Sequence, residues 1–346
     1  MSFGIPVRNG LGIGLRASTA LSTRGGASAL TVSNVFSTSL YTGTGAAQTI
    51  TNSIDLAGKG GLVWLKERTA NYTDGHWLVD TPRGVNSVVK SNTTAAQSTI
   101  ANSITAFNST GFSIGSNASF TSTNYVSWTF REAPNFFDVV TYTGDGAGSR
   151  LINHDLASQP AWVIIKATST SDGWNIFSRN DATTSYYWLG GTGFTTAAAG
   201  GTLTTSNLSS STTLQVGQSF FGGLNTSSVT YVAYLFANDT TSTGLIQCGS
   251  YTGNGLTIGP IINLGWEPQW LMIKNASGVG NWQIIDNMRG MPVSAADATL
   301  QANLSNAESL ADYVSPTATG FQVVSTSSQV NTSLSAYVYI AIRKPT

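Results

Sequence analysis

The chain predicts an all-β protein, three tandem β-sandwich domains behind a short irregular N-terminal arm. The first observation is a repeat of four landmarks in fixed order. Tyr41-Thr42-Gly43-Thr44-Gly45 returns as Tyr142-Thr143-Gly144-Asp145-Gly146 and as Tyr251-Thr252-Gly253-Asn254-Gly255. An apolar run closing in lysine follows each copy: Leu62–Lys66, Trp162–Lys166 and Trp270–Lys274. A second tryptophan strand comes next, beginning at Trp77, Trp174 and Trp282, and each unit closes on an aromatic strand. In the closing strands Tyr125, Tyr231 and Tyr337 stand 106 residues apart both times. The second observation is period-two alternation rich in β-branched and aromatic residues, with Gly, Asn and Asp between the runs. The third is spacing, since each unit holds six to eight such runs in about 100 residues, a sandwich pattern. A period this long predicts a domain array, each unit burying a core of its own, and not a solenoid.

In chain order, residues 1–34 share nothing with the repeats. They are rich in Gly, Ser, Thr and Ala and carry Arg8, Arg16 and Arg24 with no acid. This segment reads as an arm ordered by an assembly partner. The repeats then occupy 35–134, 135–240 and 241–346. In the first, strands are expected near 36–41, 61–66, 76–80, 86–91, 107–114 and 124–130. In the third, Ala, Leu and Glu recur over Ser294–Leu310, which reads as a helix or equally as a loop. Along the second tryptophan strand, Trp77 with Val79, Trp174 with Ile176 and Trp282 with Ile284 share one face. That face is apolar in all three copies and is assigned to the core.

Composition narrows the function. Charged residues make up only 9% of the 346 residues, against about 25% in ordinary soluble chains. Ser, Thr, Asn and Gly must keep the surface wet, as in adhesins, virion parts or surfaces covered by neighbouring subunits. The formal net charge is zero, so no basic field recruits nucleic acid. Cys248 stands alone, which excludes a disulfide framework and a cysteine metal cluster. No stretch approaches the ~20 apolar residues of a membrane span. The glycine-rich Leu11–Leu15, bracketed by Arg8 and Arg16, is too short for a secretory h-region. The expectation is a chain made in the cytoplasm and then assembled.

Chemistry-bearing motifs are few. The Tyr-Thr-Gly-Xaa-Gly segments could suggest a phosphate loop, but no Gly-Lys-Ser/Thr and no helix follows, so a positive-φ turn is expected. His76 and His154 occupy non-equivalent positions. A triad of His76 with Asp74 or Asp80 would sit in a strand and its turn, and no Gly-Xaa-Ser-Xaa-Gly nucleophile elbow is expected. Asp74-Gly75, Asp145-Gly146 and Asp172-Gly173 read as tight-turn dipeptides and not as calcium loops. No catalytic residue, metal or cofactor is assigned. Asp80/Arg83 and Asp286/Arg289 recur at one spacing, while the middle copy has Ser178 and Arg179. They read as ion pairs bracing a strand–loop junction, with a shared ligand or partner contact as the alternative. Tyr186-Tyr187-Trp188 is private to the second repeat. These rings fill that copy's core, or one of them is exposed to stack on a sugar or a neighbouring subunit.

The motifs together resemble a family of tandem β-domains, without assigned activity, found in structural proteins of tailed bacteriophages, often marine ones. The resemblance rests on Pro160-Ala161-Trp162 through Lys166, Pro268-Gln269-Trp270 through Lys274, and Trp282 through Gly290. It extends to Gly111–Gly115 and Tyr231–Phe236, and covers residues 35–346. The middle copy departs from it, with Asn180 after Arg179 where Arg-Gly is expected. The resemblance implies lectin-like or jelly-roll sandwiches in a virion protein, and it brings no catalytic residues. The expected role is a tail fibre or tail-associated appendage contacting the host surface as a homotrimer. Arg8, Arg16 and Arg24 would anchor it to other virion proteins, and Tyr186, Tyr187 and Trp188 are the candidate surface-binding aromatics, with a cell-surface glycan as possible partner. A capsid decoration protein and a free carbohydrate-binding adhesin are the alternatives. Neither nucleic-acid binding nor membrane insertion is expected.

Overall fold

The computed structural model describes residues 1, 30–69, 74–121, 123–179, 185–189, 194–196, 210–217, 223–291 and 296–346. For 185–188 and 194–196 it describes backbone alone. Thr31–Thr346 forms one compact unit. Its first repeat contains β1 (Phe36–Thr42), β2 (Gln48–Thr51), a four-residue helix (Leu56–Lys59), β3 (Gly61–Glu67), β4 (Trp77–Asp80) and β5 (Ser87–Lys90). It continues with β6 (Ser98–Thr99), β7 (Ile104–Asn108), β8 (Gly111–Ile114) and β9 (Asn124–Arg131). The second has β10 (Phe137–Thr143), β11 (Arg150–Asn153), β12 (Trp162–Ala167), β13 (Trp174–Ser178), β14 (Ser185–Trp188), β15 (Phe194–Thr196), β16 (Thr213–Val216) and β17 (Thr230–Phe236). The third has β18 (Ile246–Thr252), β19 (Ile261–Asn263), β20 (Pro268–Asn275), β21 (Gln283–Asp286) and β22 (Asp297–Gln301). It ends with β23 (Ser309–Ala311), β24 (Val314–Thr317), β25 (Gly320–Val323) and β26 (Ala336–Arg343).

Each repeat builds the same six-stranded antiparallel sheet: β1-β9-β3-β4-β5-β6, β10-β17-β12-β13-β14-β15 and β18-β26-β20-β21-β22-β23. A small sheet lies beside each in sequence, β2-β8-β7, β11-β16 and β19-β25-β24. The fold is thus all-β and multi-sandwich, as predicted. In the first repeat Val63, Leu65, Trp77 and Val79 face Ile50 and Phe112 of the small sheet. In the third Leu271, Ile273 and Ile285 face Phe321 and Val323 in the same way.

The opposite faces do not meet solvent. Leu62, Trp64 and Phe130 share one core with Trp162, Ile164 and Phe236 and with Trp270, Met272 and Ile342. Ring contacts cross every boundary at the centre: Phe130 to Phe236 at 5.7 Å, Phe130 to Trp270 at 5.8 Å and Trp162 to Trp282 at 5.9 Å. Six fully buried tryptophans (Trp64, Trp128, Trp162, Trp174, Trp270 and Trp282) all lie in this common core. By area each contributes at most on the order of 4–6 kcal/mol. The expectation that each unit buries a core of its own therefore holds only for the outer faces of the first and third repeats, since Ile152, Val163, Leu214 and Val216 of the second belong to the common core. The inner face of every large sheet is completed by the other two repeats.

Strand registers correct one alignment. Leu62 pairs with Asp80, Trp162 with Ser178 and Trp270 with Asp286. Counting back from these positions puts His76, Trp174 and Trp282 in one equivalent place. Trp77 belongs to the outer face, opposite Phe120 at 5.5 Å. The signal was available in the spacing, because Asp80 stands three residues after Trp77 while Asp286 stands four after Trp282. Two further expectations are revised. The described part of Ser294–Leu310 holds β22 and the start of β23 instead of a helix, since Leu300 is buried opposite Ile284 and packing overrides weak propensity. The single strand expected at 107–114 is the hairpin β7–β8, with Gly111 placed where a Cβ would strike the Ile50 carbonyl.

Candidate functional site

The chemistry-bearing side chains converge on the seams between repeats. At the junction of the first and second, Asp80 and Arg83 form a buried pair, Oδ2 to Nη2 at 2.5 Å. Tyr234 of the second repeat donates its hydroxyl to Asp80 Oδ2 at 2.8 Å, and Arg83 donates to that hydroxyl at 3.1 Å and to the Leu78 carbonyl at 3.0 Å. Burial opposes the Arg83 charge, but Tyr234 and Asp80 outweigh it and hold the guanidinium above its usual range. Burial also drives the Tyr234 phenol well above the ordinary tyrosine value, so it stays a donor. At the junction of the third and first repeats, Asp286 and Arg289 pair at 2.6 Å, and Trp128 Nε1 donates to Asp286 at 2.9 Å. Arg289 also lies over the Trp128 ring, 5.3 Å from its centre, a cation–π contact in a desolvated site.

Tyr234 and Trp128 are equivalent, 106 residues apart, and the third member of the set is Ile340. The residue that would face Ile340 is Ser178 in place of an aspartate. The acid is present where the neighbouring strand offers a donor and absent where it offers a methyl group. The brace is thus a seam device, which is the bland reading of these pairs in a more specific form. Arg179 is no counterpart of Arg83, since its position matches Thr81 and Asn287, and its guanidinium bonds Gln159.

The lysines that close the apolar runs form a second threefold set. Lys66, Lys166 and Lys274 are all buried, and each Nζ donates to the carbonyl of the next residue, at 2.8, 2.8 and 2.9 Å. Lys166 also reaches the Thr94 carbonyl of the first repeat at 3.2 Å. Burial lowers all three to about 8. His76 stacks on Trp128 at 6.1 Å and accepts from Trp64 Nε1 at 3.0 Å. Burial first, and then the Lys66 charge, hold its pKa well below the usual value, so the imidazole is neutral.

The remaining candidates separate cleanly. The second glycine of each Tyr-Thr-Gly-Xaa-Gly turn has positive φ: 71° at Gly45, 79° at Gly146 and 71° at Gly255. The first glycines lie against the backbone, where a Cβ would collide with the carbonyls of Phe120, Thr226 and Thr332. The turn tyrosines stack on the closing-strand tyrosines, as Tyr41–Tyr125, Tyr142–Tyr231 and Tyr251–Tyr337, at 5.4, 4.9 and 5.1 Å. Against the expectation that no Gly-Xaa-Ser-Xaa-Gly segment occurs, Gly111–Gly115 spells one, but it runs along β8 and the Ser113 hydroxyl bonds Thr49 and Asn108. That geometry is a strand ladder and lacks the strand-to-helix turn a nucleophile needs. Asp74 pairs with Lys90, and Asp145 and Asp172 accept turn amides. No group of acidic, histidine or cysteine side chains with metal-holding geometry occurs among the described residues. Tyr186, Tyr187 and Trp188 lie on β14, paired with Phe177, Ile176 and Asn175, and their side chains fall outside the described residues. Arg8, Arg16 and Arg24 fall outside them entirely.

Sequence reasoning missed the loop residues that complete the seams. Gln97 N–H donates to the Thr168 carbonyl at 2.9 Å, and Glu308 N–H donates to the Arg68 carbonyl at 3.0 Å. These are equivalent contacts between successive repeats. Glu308 also takes a bidentate pair from Arg68, at 3.0 and 2.9 Å, and reaches Arg289 at 3.3 Å. A family model described as a domain of unknown function, DUF7483, matches residues 31–345, all three repeats at once. Comparison with curated proteins gave no match.

Proposed function

Because the chain belongs to the DUF7483 family of domains of unknown function, we propose its role from its own geometry. It is a non-enzymatic structural protein of a tailed-phage virion, mounted as a tail fibre or tail-associated appendage that contacts the host surface as a homotrimer. The observation that carries this reading is the use made of the ionisable groups. Asp80, Arg83, Asp286, Arg289, Glu308 and Lys166 are spent on closing one repeat against the next. Such investment yields a rigid block whose exterior is largely hydroxyl and amide. Support also comes from the motif resemblance to tailed-phage structural proteins. No helix among the described residues is long and apolar enough to cross a membrane, and the zero net charge offers phosphate no attraction.

The test is the number of copies per particle, by quantitative mass spectrometry of purified virions against the portal and major capsid proteins. A count of tens or fewer, in multiples of three, is expected. Hundreds of copies would replace the tail assignment with a capsid decoration, and absence from particles would leave a free adhesin.

A further inference from the structure

We infer that the cleft between the first and second repeats binds a neutral sugar, a hexose or short oligosaccharide presented on a surface. The inference rests on the host-contact reading above and names the place of contact. The cleft holds about 610 Å³ and is lined by Arg83 and Gln97 on one side and Thr141, Thr143, Thr168 and Thr230 on the other. That volume falls among small-molecule pockets, which span about 300–1,000 Å³.

Internal comparison shows what sets this lining apart. Backbone at the first–second and third–first seams is matched, with the same inter-repeat hydrogen bond from Gln97 to Thr168 and from Glu308 to Arg68. The side chains at these matched positions differ. At the third–first seam Arg68 and Glu308 lie across the position as a bidentate ion pair, with Leu40 and Asn124 beside them. At the first–second seam the equivalent residues are Thr168, Gln97, Thr141 and Thr230. Every exchange either shortens the side chain or turns an apolar or charged group into a neutral hydroxyl or amide. Ser169 adds another hydroxyl to the lining.

The electrostatics choose the ligand's charge. Asp80 neutralises Arg83, whose other donors go to Leu78, Tyr234 and Gln97. The lining therefore presents hydroxyls and an amide with no uncompensated charge, which suits a ligand with many hydroxyls and none ionised.

The test titrates D-glucose, D-galactose, D-mannose and N-acetyl-D-glucosamine, with D-glucuronate as a charged control, against the whole chain. Ligand-observed NMR and calorimetry provide the readouts. The decisive variant is Thr168→Arg with Gln97→Glu, which copies the ion pair of the other seam into this one. Thr141→Leu, copying Leu40, is the second variant. At least one neutral sugar should bind, roughly tenfold or more weaker in each variant, while the melting temperature is maintained. Failure of all four neutral sugars to bind, binding only of glucuronate, or unchanged affinity in the filled variants would overturn the inference. Particle incorporation is read separately. Sugar binding by a chain absent from virions removes the virion reading and leaves the site, and incorporation without sugar binding does the reverse.

Discussion

Asp80 and Asp286 each hold an arginine of their own repeat and a donor of the next one, in sites with almost no solvent. Removing the acid strands a buried guanidinium, so Asp80→Ala should lower stability by about 3–5 kcal/mol, read from denaturant unfolding. A loss under 1 kcal/mol would mean that solvent reaches the pair. The buried lysines set a pH dependence whose sign is fixed. Their folded values of about 8 lie below the ordinary 10.5. Between those limits the unfolded chain binds more protons, so stability rises with pH across that window. Above pH 9 the buried Cys248 thiol and then the tyrosines oppose the rise, because burial lifts their folded values. The clean interval is therefore pH 8 to 9. The melting temperature should climb there in wild type and climb less in Lys166→Met. Equal slopes in the two proteins would show that Lys166 stays charged throughout.

At the scale of elements, the glycine turns separate two requirements that the sequence presents as one motif. The second glycine needs positive φ, and alanine there costs about 1–2 kcal/mol. The first needs the absence of a side chain against a carbonyl, which only a backbone shift can relieve. Gly253→Ala should therefore melt lower than Gly255→Ala, and the reverse order in thermal unfolding would contradict the turn geometry. The repeats, their closing strands and this turn were legible because period-two patterns and glycine placement are local properties. The shared core was not. A strand such as Trp162–Ala167, apolar on both faces, says that both are covered and not by what. His76 hid in the place of a tryptophan because a neutral, stacked imidazole fills a ring-shaped gap as well as an indole does. The seam loops were equally silent, since Gln97, Thr168 and Glu308 belong to no motif and acquire meaning only through contacts across a repeat boundary.

For the whole molecule, the joint core makes the three repeats one cooperative body. Residues 35–134 produced alone would expose Leu62, Trp64, Trp128 and Phe130, and should aggregate or stay unfolded, while Thr31–Thr346 unfolds in a single transition. Calorimetry of the two fragments decides the matter; a monomeric, folded 35–134 would refute the joint core. Truncation should also respect Val32 and Val35, which are buried in that core, so removal through Val35 is expected to lower the melting temperature. The three-repeat body has one more consequence, and it concerns evolutionary freedom. Three identical subunits around an axis must accept any mutation at all three junctions at once. Three copies joined in one polypeptide are released from that constraint. One junction can lock with an ion pair, a second can open into a hydroxyl-lined cleft, and a third can trade its acid for a serine. The scaffold stays common while each boundary answers to selection on its own.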